Sequence, residues 1–252
     1  MSDLHLVRLV LDRRALARVA ARHRHSQRLD AGYFLHAGLA QLFATSEAPA
    51  EVPLHTFAHD DLRADSVQDP TAVFLLAYAD HDAQALRRAM NTAQDVLREC
   101  QSRPMPAFEA GQRLGFRTRV CPITRTRTPG DRPLGIDARG KTKCREIDAF
   151  VHATLSVSKE TRVDREEVYT AWLRAQLTRE GACTLDAVRL TAFQREGMHR
   201  RGSPRIERPN AVMEGALTVT DPAAFTALLA RGIGRHRAFG FGMLLLGPPP
   251  SH

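Results

Sequence analysis

Lysine is scarce in this chain. Only Lys141, Lys143 and Lys159 are lysines among 36 basic residues. The remainder is arginine, whose planar fork holds phosphate through paired hydrogen bonds. A GC-rich genome gives the same bias, so the count alone is weak evidence. The net charge of +8 and a pI near 10.0 point the same way, to a polyanionic partner. Cysteine is also sparse: Cys100, Cys121, Cys144 and Cys183 form no CxxC pair, which argues against a zinc ribbon or a disulfide framework. Four scattered thiols fit a reduced, cytoplasmic setting. No stretch approaches the roughly 18 apolar residues of a membrane span, and the N-terminus alternates Leu, Val and Arg instead of forming a signal segment. Aromatics make up only 6%, without the aromatic strand run of ordinary RNA-recognition motifs. The glycine-rich stretch near the C-terminus, residues 232–242, is not followed by Lys-Ser/Thr, so it is not a nucleotide-binding P-loop.

The chain does hold 43% hydrophobic residues over 252 positions, enough for one large or two small domains. Residues 4–11 (LHLVRLVL) predict a strand. Residues 12–30 are a basic run with Arg13, Arg14, Arg18, Arg22, Arg24 and Arg28, either a solvated helix or an arm lying on a phosphate backbone. The spacing predicts a helix over 33–43, with Phe34, Leu35, Leu39, Leu42 and Phe43 facing the core. Tyr33 and His36, three apart, project from one side of it. A histidine near arginines suits acid–base chemistry, since its ordinary pKa is about 6.5. Strands follow at 53–58 and 71–79, then a helix over 82–97 and a strand pair within 108–123. This first half reads β-α-β-β-α-β, the ferredoxin-like pattern.

Starting from GFRTRVCPI, the second half repeats the pattern. Residues 124–147 read as a basic inserted loop with Arg125 and Arg127. A helix over 165–177 buries Val168, Trp172, Leu173 and Leu177. Strands at 184–193 and 212–219 flank a polar hairpin, 194–210, carrying Arg195, Arg200, Arg201, Arg205 and Arg208. Such a tip would enter the narrow, phosphate-lined major groove of an RNA duplex. Asp221-Pro222 opens the last helix and Met243–Leu246 reads as a buried strand. Between them, residues 232–242 form a loop with Gly232, Gly234, Gly240 and Gly242 around Arg235, His236 and Arg237. Glycines allow close backbone approach, and the cations suit an anion. The expected fold class is therefore α+β: tandem ferredoxin-like (RRM-like) βαββαβ domains at 1–112 and 113–252.

The run RGIGRHRAFGFGMLLL (231–246) resembles the C-terminal signature of the CasE-type CRISPR RNA-processing endoribonucleases. VMEGALTVTD (212–221), FRTRVCPITRTR, the N-terminal HLVRLVLD and the tyrosine three before a histidine in YFLH resemble that family too. The resemblance implies metal-independent cleavage of precursor CRISPR RNA at a repeat hairpin. The 2′-hydroxyl is the nucleophile, and the products are a 2′,3′-cyclic phosphate and a 5′-hydroxyl. It implies no cofactor, one repeat hairpin per monomer, and retention of the product with other subunits of an effector complex. It maps the catalytic histidine to His36 as general acid or base, with Tyr33 as its neighbour. Arg28, or another arginine of the arm, would stabilise the transition state. This chain has arginine or histidine in the loop where many members show lysine, a more arginine-rich arm and a longer middle. Those departures also admit the related processing nuclease of type IV systems, in which arginines carry the chemistry.

Two other readings compete. His59-Asp60-Asp61 and His81-Asp82 resemble fragments of a metal-dependent HD site, although Asp82 fits a helix cap better. A tandem RNA-binding subunit without catalysis would share the fold and the charge.

Overall fold

The computed structural model describes residues 4–21, 31–44, 52–59, 69–90, 93–127, 145–158, 161–198 and 206–250. The alternating apolar residues of His5–Asp12 form strand β1. Asp12 then turns the chain into helix α1 (Arg13–Ala21) by accepting a hydrogen bond from Ala15 N at 2.8 Å. This half of the basic run is the solvated helix, with Ala15, Leu16 and Val19 inward. Helix α2 (Ala31–Leu42) packs on it through Leu35, Leu39 and Leu42. A Cβ at Gly38 would come within 2.5 Å of Leu16 Cδ1, so glycine permits this close crossing.

Strands β2 (Thr56–His59) and β3 (Ala72–Ala79) follow, then helices α3 (Ala83–Ala89) and α4 (Ala93–Val96), and strand β4 (Leu97–Pro104). The four strands form an antiparallel sheet in the order β2-β3-β1-β4. Val7, Leu9 and Leu11 of β1 pack under α1 and α2. The helix expected over 82–97 is thus shorter. Asp82 does cap it, accepting from Ala85 N at 2.8 Å, but Met90 turns extended and the chain becomes β4 at Leu97. LRECQSRP is a polar edge strand that only pairing with β1 defines.

The second sheet has the order β10-β5-β9-β8, made of β5 (Arg113–Val120), β8 (Cys183–Met198), β9 (Ile206–Val219) and β10 (Leu244–Gly247). Taken by position within each half, the order matches the first sheet. Helices α6 (Arg165–Leu177) and α7 (Pro222–Arg231) serve as its crossovers, and Asp221 caps α7 through Ala223 N and Ala224 N. Two expectations are corrected. The insert at 124–147 is not loop throughout: β6 (Ile123–Thr126) pairs with β7 (Arg145–Asp148), and helix α5 (Ala149–Leu155) follows. The β8–β9 ladder also runs further than its apolar residues suggest, with Gln194 facing Asn210 and Glu196 facing Arg208. There, backbone pairing continues through residues that carry no hydrophobic signal.

The halves join by direct bonds. Tyr78 Oη donates to Leu244 O at 2.9 Å, and Thr56 Oγ1 donates to Leu229 O at 3.3 Å. Leu4, Ala58 and Tyr78 of the first half belong to the core of the second.

Candidate functional site

The glycine-rich loop is built to fold back on its own ends. Gly242 N donates to Arg119 O at 2.7 Å and Ile233 N donates to Gly242 O at 2.8 Å. Two positions require glycine. Gly232 has φ 71° and ψ −179°, a region essentially closed to other residues, and a Cβ there would meet Thr56 Cγ2 at 2.4 Å. Gly242 has φ 85°, and its Cβ would lie 2.2 Å from Ile233 O. Gly234 and Gly240 also have positive φ. Between them, Arg237–Phe239 makes a single 3-10 turn that packs against α2 and β2.

That packing brings together residues some two hundred positions apart. His36, on α2, lies with its ring 5.3 Å from that of Phe239. His236 lies on the same Phe239 ring at 6.2 Å. His36 is half-buried and its ring makes no hydrogen bond among the described residues. Burial pushes its pKa below the ordinary histidine value, so near neutral pH it is an uncharged base. Tyr33 lies three residues earlier on α2, but its side chain is outside the described residues, as are Arg22, Arg24, Arg28, Arg200, Arg201 and Arg205.

The loop cations converge on a carboxylate that sequence reading missed. Glu146 of β7 accepts from Arg208 Nη2 at 2.8 Å and pairs with Arg235 Nε at 2.8 Å. Arg208 also donates to the Glu146 carbonyl at 3.3 Å, and its side chain is only 13% exposed. His236 Nε2 lies 3.5 Å from the same carboxylate, an ion-pair separation without hydrogen-bond geometry. Burial, the largest cause, pushes the His236 pKa down. Glu146 opposes that shift, while Arg208 and Arg235 add to it. Arg237 is exposed and donates to the Arg231 carbonyl. Arg125, Arg127 and Arg195 are exposed, the last 3.8 Å from Glu207.

A second cluster lies beneath the loop. Arg119 of β5 is 2% exposed and stacks its guanidinium 4.3 Å from the Phe241 ring. It donates to Glu196 of β8, donates to Asn210 Oδ1 of β9 at 3.1 Å and bonds His59 Nε2 of β2. Asn210 Nδ2 donates in turn to Glu196 at 3.0 Å. His59 therefore faces a cation, and a Cβ on Gly240 would press on its ring at 2.8 Å. The HD-site fragments thus have other partners: His59 bonds Arg119, and Asp82 caps α3. Asp60 and Asp61 lie outside the described residues. Among the described residues no three His, Cys, Asp or Glu side chains converge as a metal site. The alternation of FRTRV was the one available signal, since it puts Arg117 and Arg119 on a single strand face.

Two βαββαβ halves in tandem, with a glycine-rich loop of the second pressed on a helix-borne histidine of the first, define the class: a tandem ferredoxin-like α+β protein. The family described as CRISPR associated protein matches residues 4–248, and the chain belongs to that family. The fold is similar to that of a CRISPR endoribonuclease Cse3 bound to 19-nucleotide RNA, with TM-score 0.62 and 23% identity over 98% of this chain and 100% of that one. It is similar to Thermus thermophilus Cse3 bound to an RNA representing a pre-cleavage complex, with TM-score 0.61 and 23% identity over 98% and 100%. It is also similar to Cas6e of Escherichia coli K-12, with TM-score 0.60 and 20% identity over 97% and 99%. No curated protein matches the chain. Among the described residues no helix is long and apolar enough to cross a membrane.

Proposed function

We propose that this protein is a metal-independent endoribonuclease that binds a CRISPR repeat hairpin and cleaves precursor CRISPR RNA beside it. The observation that carries the reading is His36: uncharged through burial, without a hydrogen bond among the described residues, and packed on the glycine-rich loop. Such a base can take the proton of a 2′-hydroxyl, whose oxygen then attacks the adjacent phosphate. Tyr33 orients that hydroxyl or shares the proton. Arg28 or a neighbouring arginine of the arm holds the added negative charge. The products are a 2′,3′-cyclic phosphate and a 5′-hydroxyl.

The β8–β9 hairpin is the RNA-reading arm. Arg195, Arg200, Arg201 and Arg205 meet phosphates of the duplex groove, and Arg125 and Arg127 extend the basic surface. Arg208 and Arg235 serve there while anchored on Glu146. Structures similar to this chain include Cse3 with RNA and a subunit of a CRISPR RNA-guided surveillance complex (TM-score 0.54, 17% identity). On that basis one monomer stays on one mature RNA as a cytoplasmic effector subunit. The halves divide at residues 112 and 113, where β5 begins.

The test is incubation of the protein with repeat-hairpin RNA in excess EDTA, beside the same RNA carrying a 2′-deoxy sugar at the cut. Cleavage of the first alone, leaving a cyclic phosphate, is expected. Tight binding without a cut would favour a non-catalytic RNA-binding subunit, and cleavage only with added metal would overturn the mechanism.

A further inference from the structure

Cleavage by a 2′-hydroxyl needs two proton transfers. One proton leaves the nucleophile and another must reach the departing 5′-oxygen. His36 supplies one group. We propose that His236, oriented by Glu146, is the second: a general acid that protonates the 5′-oxygen. The inference rests on the nuclease reading above.

Three observations on geometry point to it. First, His236 is the sole non-glycine residue with positive φ among the described residues, at φ 63° and ψ 26°. A histidine there is strained relative to the glycines around it, and residues held so cluster at functional sites. Second, its Nε2 is buried without a hydrogen bond and lies 3.5 Å from a carboxylate. That carboxylate is itself fixed from two other elements, by Arg208 on β9 and Arg235 in the loop. The arrangement repeats the logic of a carboxylate that orients an imidazole and stabilises its cation. The side chain is 18% exposed, and Nδ1 is not among the buried atoms, so Nδ1 is the nitrogen that can meet a substrate. Third, His36 and His236 both lie on the Phe239 ring, at 5.3 and 6.2 Å. Phe239 thereby brings the two imidazoles to one ring, so that a single phosphate bound there can meet both.

The step balances. His36 takes the 2′-hydroxyl proton as the new O–P bond forms. The P–O5′ bond breaks, and the protonated form of His236, the minor form near neutral pH that Glu146 favours against burial, passes its proton to the 5′-oxygen. His36 ends protonated and His236 neutral; solvent restores both. Charged groups facing His236 are Glu146 of β7, Arg208 of β9 and Arg235 of the loop.

The test uses the full chain and two versions of the repeat-hairpin RNA, one ordinary and one with sulfur replacing the bridging 5′-oxygen at the cut. A thiolate leaves without a proton, so it makes a general acid unnecessary. His236→Asn is the variant of choice, because asparagine tolerates the left-handed conformation. On the ordinary RNA its single-turnover rate should fall about 10²- to 10⁴-fold, while affinity for the 2′-deoxy RNA holds. On the sulfur RNA the variant should cleave near the wild-type rate. Glu146→Gln should show the same pattern in milder form. His36→Ala should stay slow on both RNAs, since the base is still needed. Equal slowing of His236→Asn on both RNAs would overturn the proposal and leave His236 as a phosphate contact or loop support. No slowing on either would overturn it too. Wild-type protein that cuts neither RNA would instead sink the nuclease reading, and this inference with it.

Discussion

Replacing Arg119 with methionine tests whether the loop rests on a buried ionic network. Arg119 is 2% exposed and Glu196 16%, so the pair is largely withdrawn from water. Removing one partner of such a pair costs about 3–5 kcal/mol, because the other charge stays buried and uncompensated. Glu196 keeps one hydrogen bond, from Asn210 Nδ2 at 3.0 Å, and some contact with solvent. The lower end, about 3 kcal/mol, is therefore expected. For a chain of this size that is a fall in Tm of roughly 6–12 °C. Urea melts of R119M, E196Q and the double variant measure it. Methionine fills much of the arginine volume over Phe241, and removing both charges leaves neither charge of the pair buried and uncompensated, although Asn210 and His59 lose the bonds from Arg119. The double variant should therefore be less destabilised than the two single losses summed. A cost below about 1 kcal/mol for R119M, or strictly additive losses, would refute the reasoning.

Gly242→Ala should cost about 1–3 kcal/mol from its left-handed backbone alone, and more because its Cβ meets Ile233 O at 2.2 Å. Gly181→Ala, also at positive φ but with nothing within 4 Å, isolates the conformational part, and equal losses in urea melts would exclude the clash. Burial lowers the His36 pKa, so its base form is full above that value and is lost as pH falls through it. On the sulfur-linked RNA, kcat/KM should fall toward acid pH with a midpoint below the ordinary histidine value of about 6.5; a midpoint above it would contradict the assignment. Arg200→Ala with Arg201→Ala should weaken RNA binding and reduce the salt slope by about 1 per arginine. An unchanged slope would reject phosphate contact at the tip.

What could be read from the residues follows from where burial imposes a pattern. β1, α2, α6 and α7 bury one face each, so their apolar spacing marks them in sequence. β4 and the outer ladder of β8–β9 do not: Glu99, Gln101, Arg195 and Glu207 are held in strands by backbone pairing. β6 and β7 escaped for a different reason, since four residues each are too few to show a period. His36 and the glycine-rich loop were legible singly, through residue type and spacing. Their union across Phe239 was not, because it depends on how the two halves pack. Glu146 was invisible because an acid in a basic stretch, like Asp131 and Asp137 of the same stretch, looks like an ordinary solvated charge. Only the fold brings Arg208, Arg235 and His236 to it from β9 and the loop.

The central claim is that His36 performs the chemistry and does not merely hold the RNA. The most direct measurement compares single-turnover cleavage of repeat-hairpin RNA by wild type and by His36→Ala, with affinity for the 2′-deoxy RNA measured on both. The account predicts cleavage slower by about 10²- to 10⁴-fold with affinity essentially unchanged. Cleavage within a few-fold of wild type would contradict it and move the chemistry to the arginines.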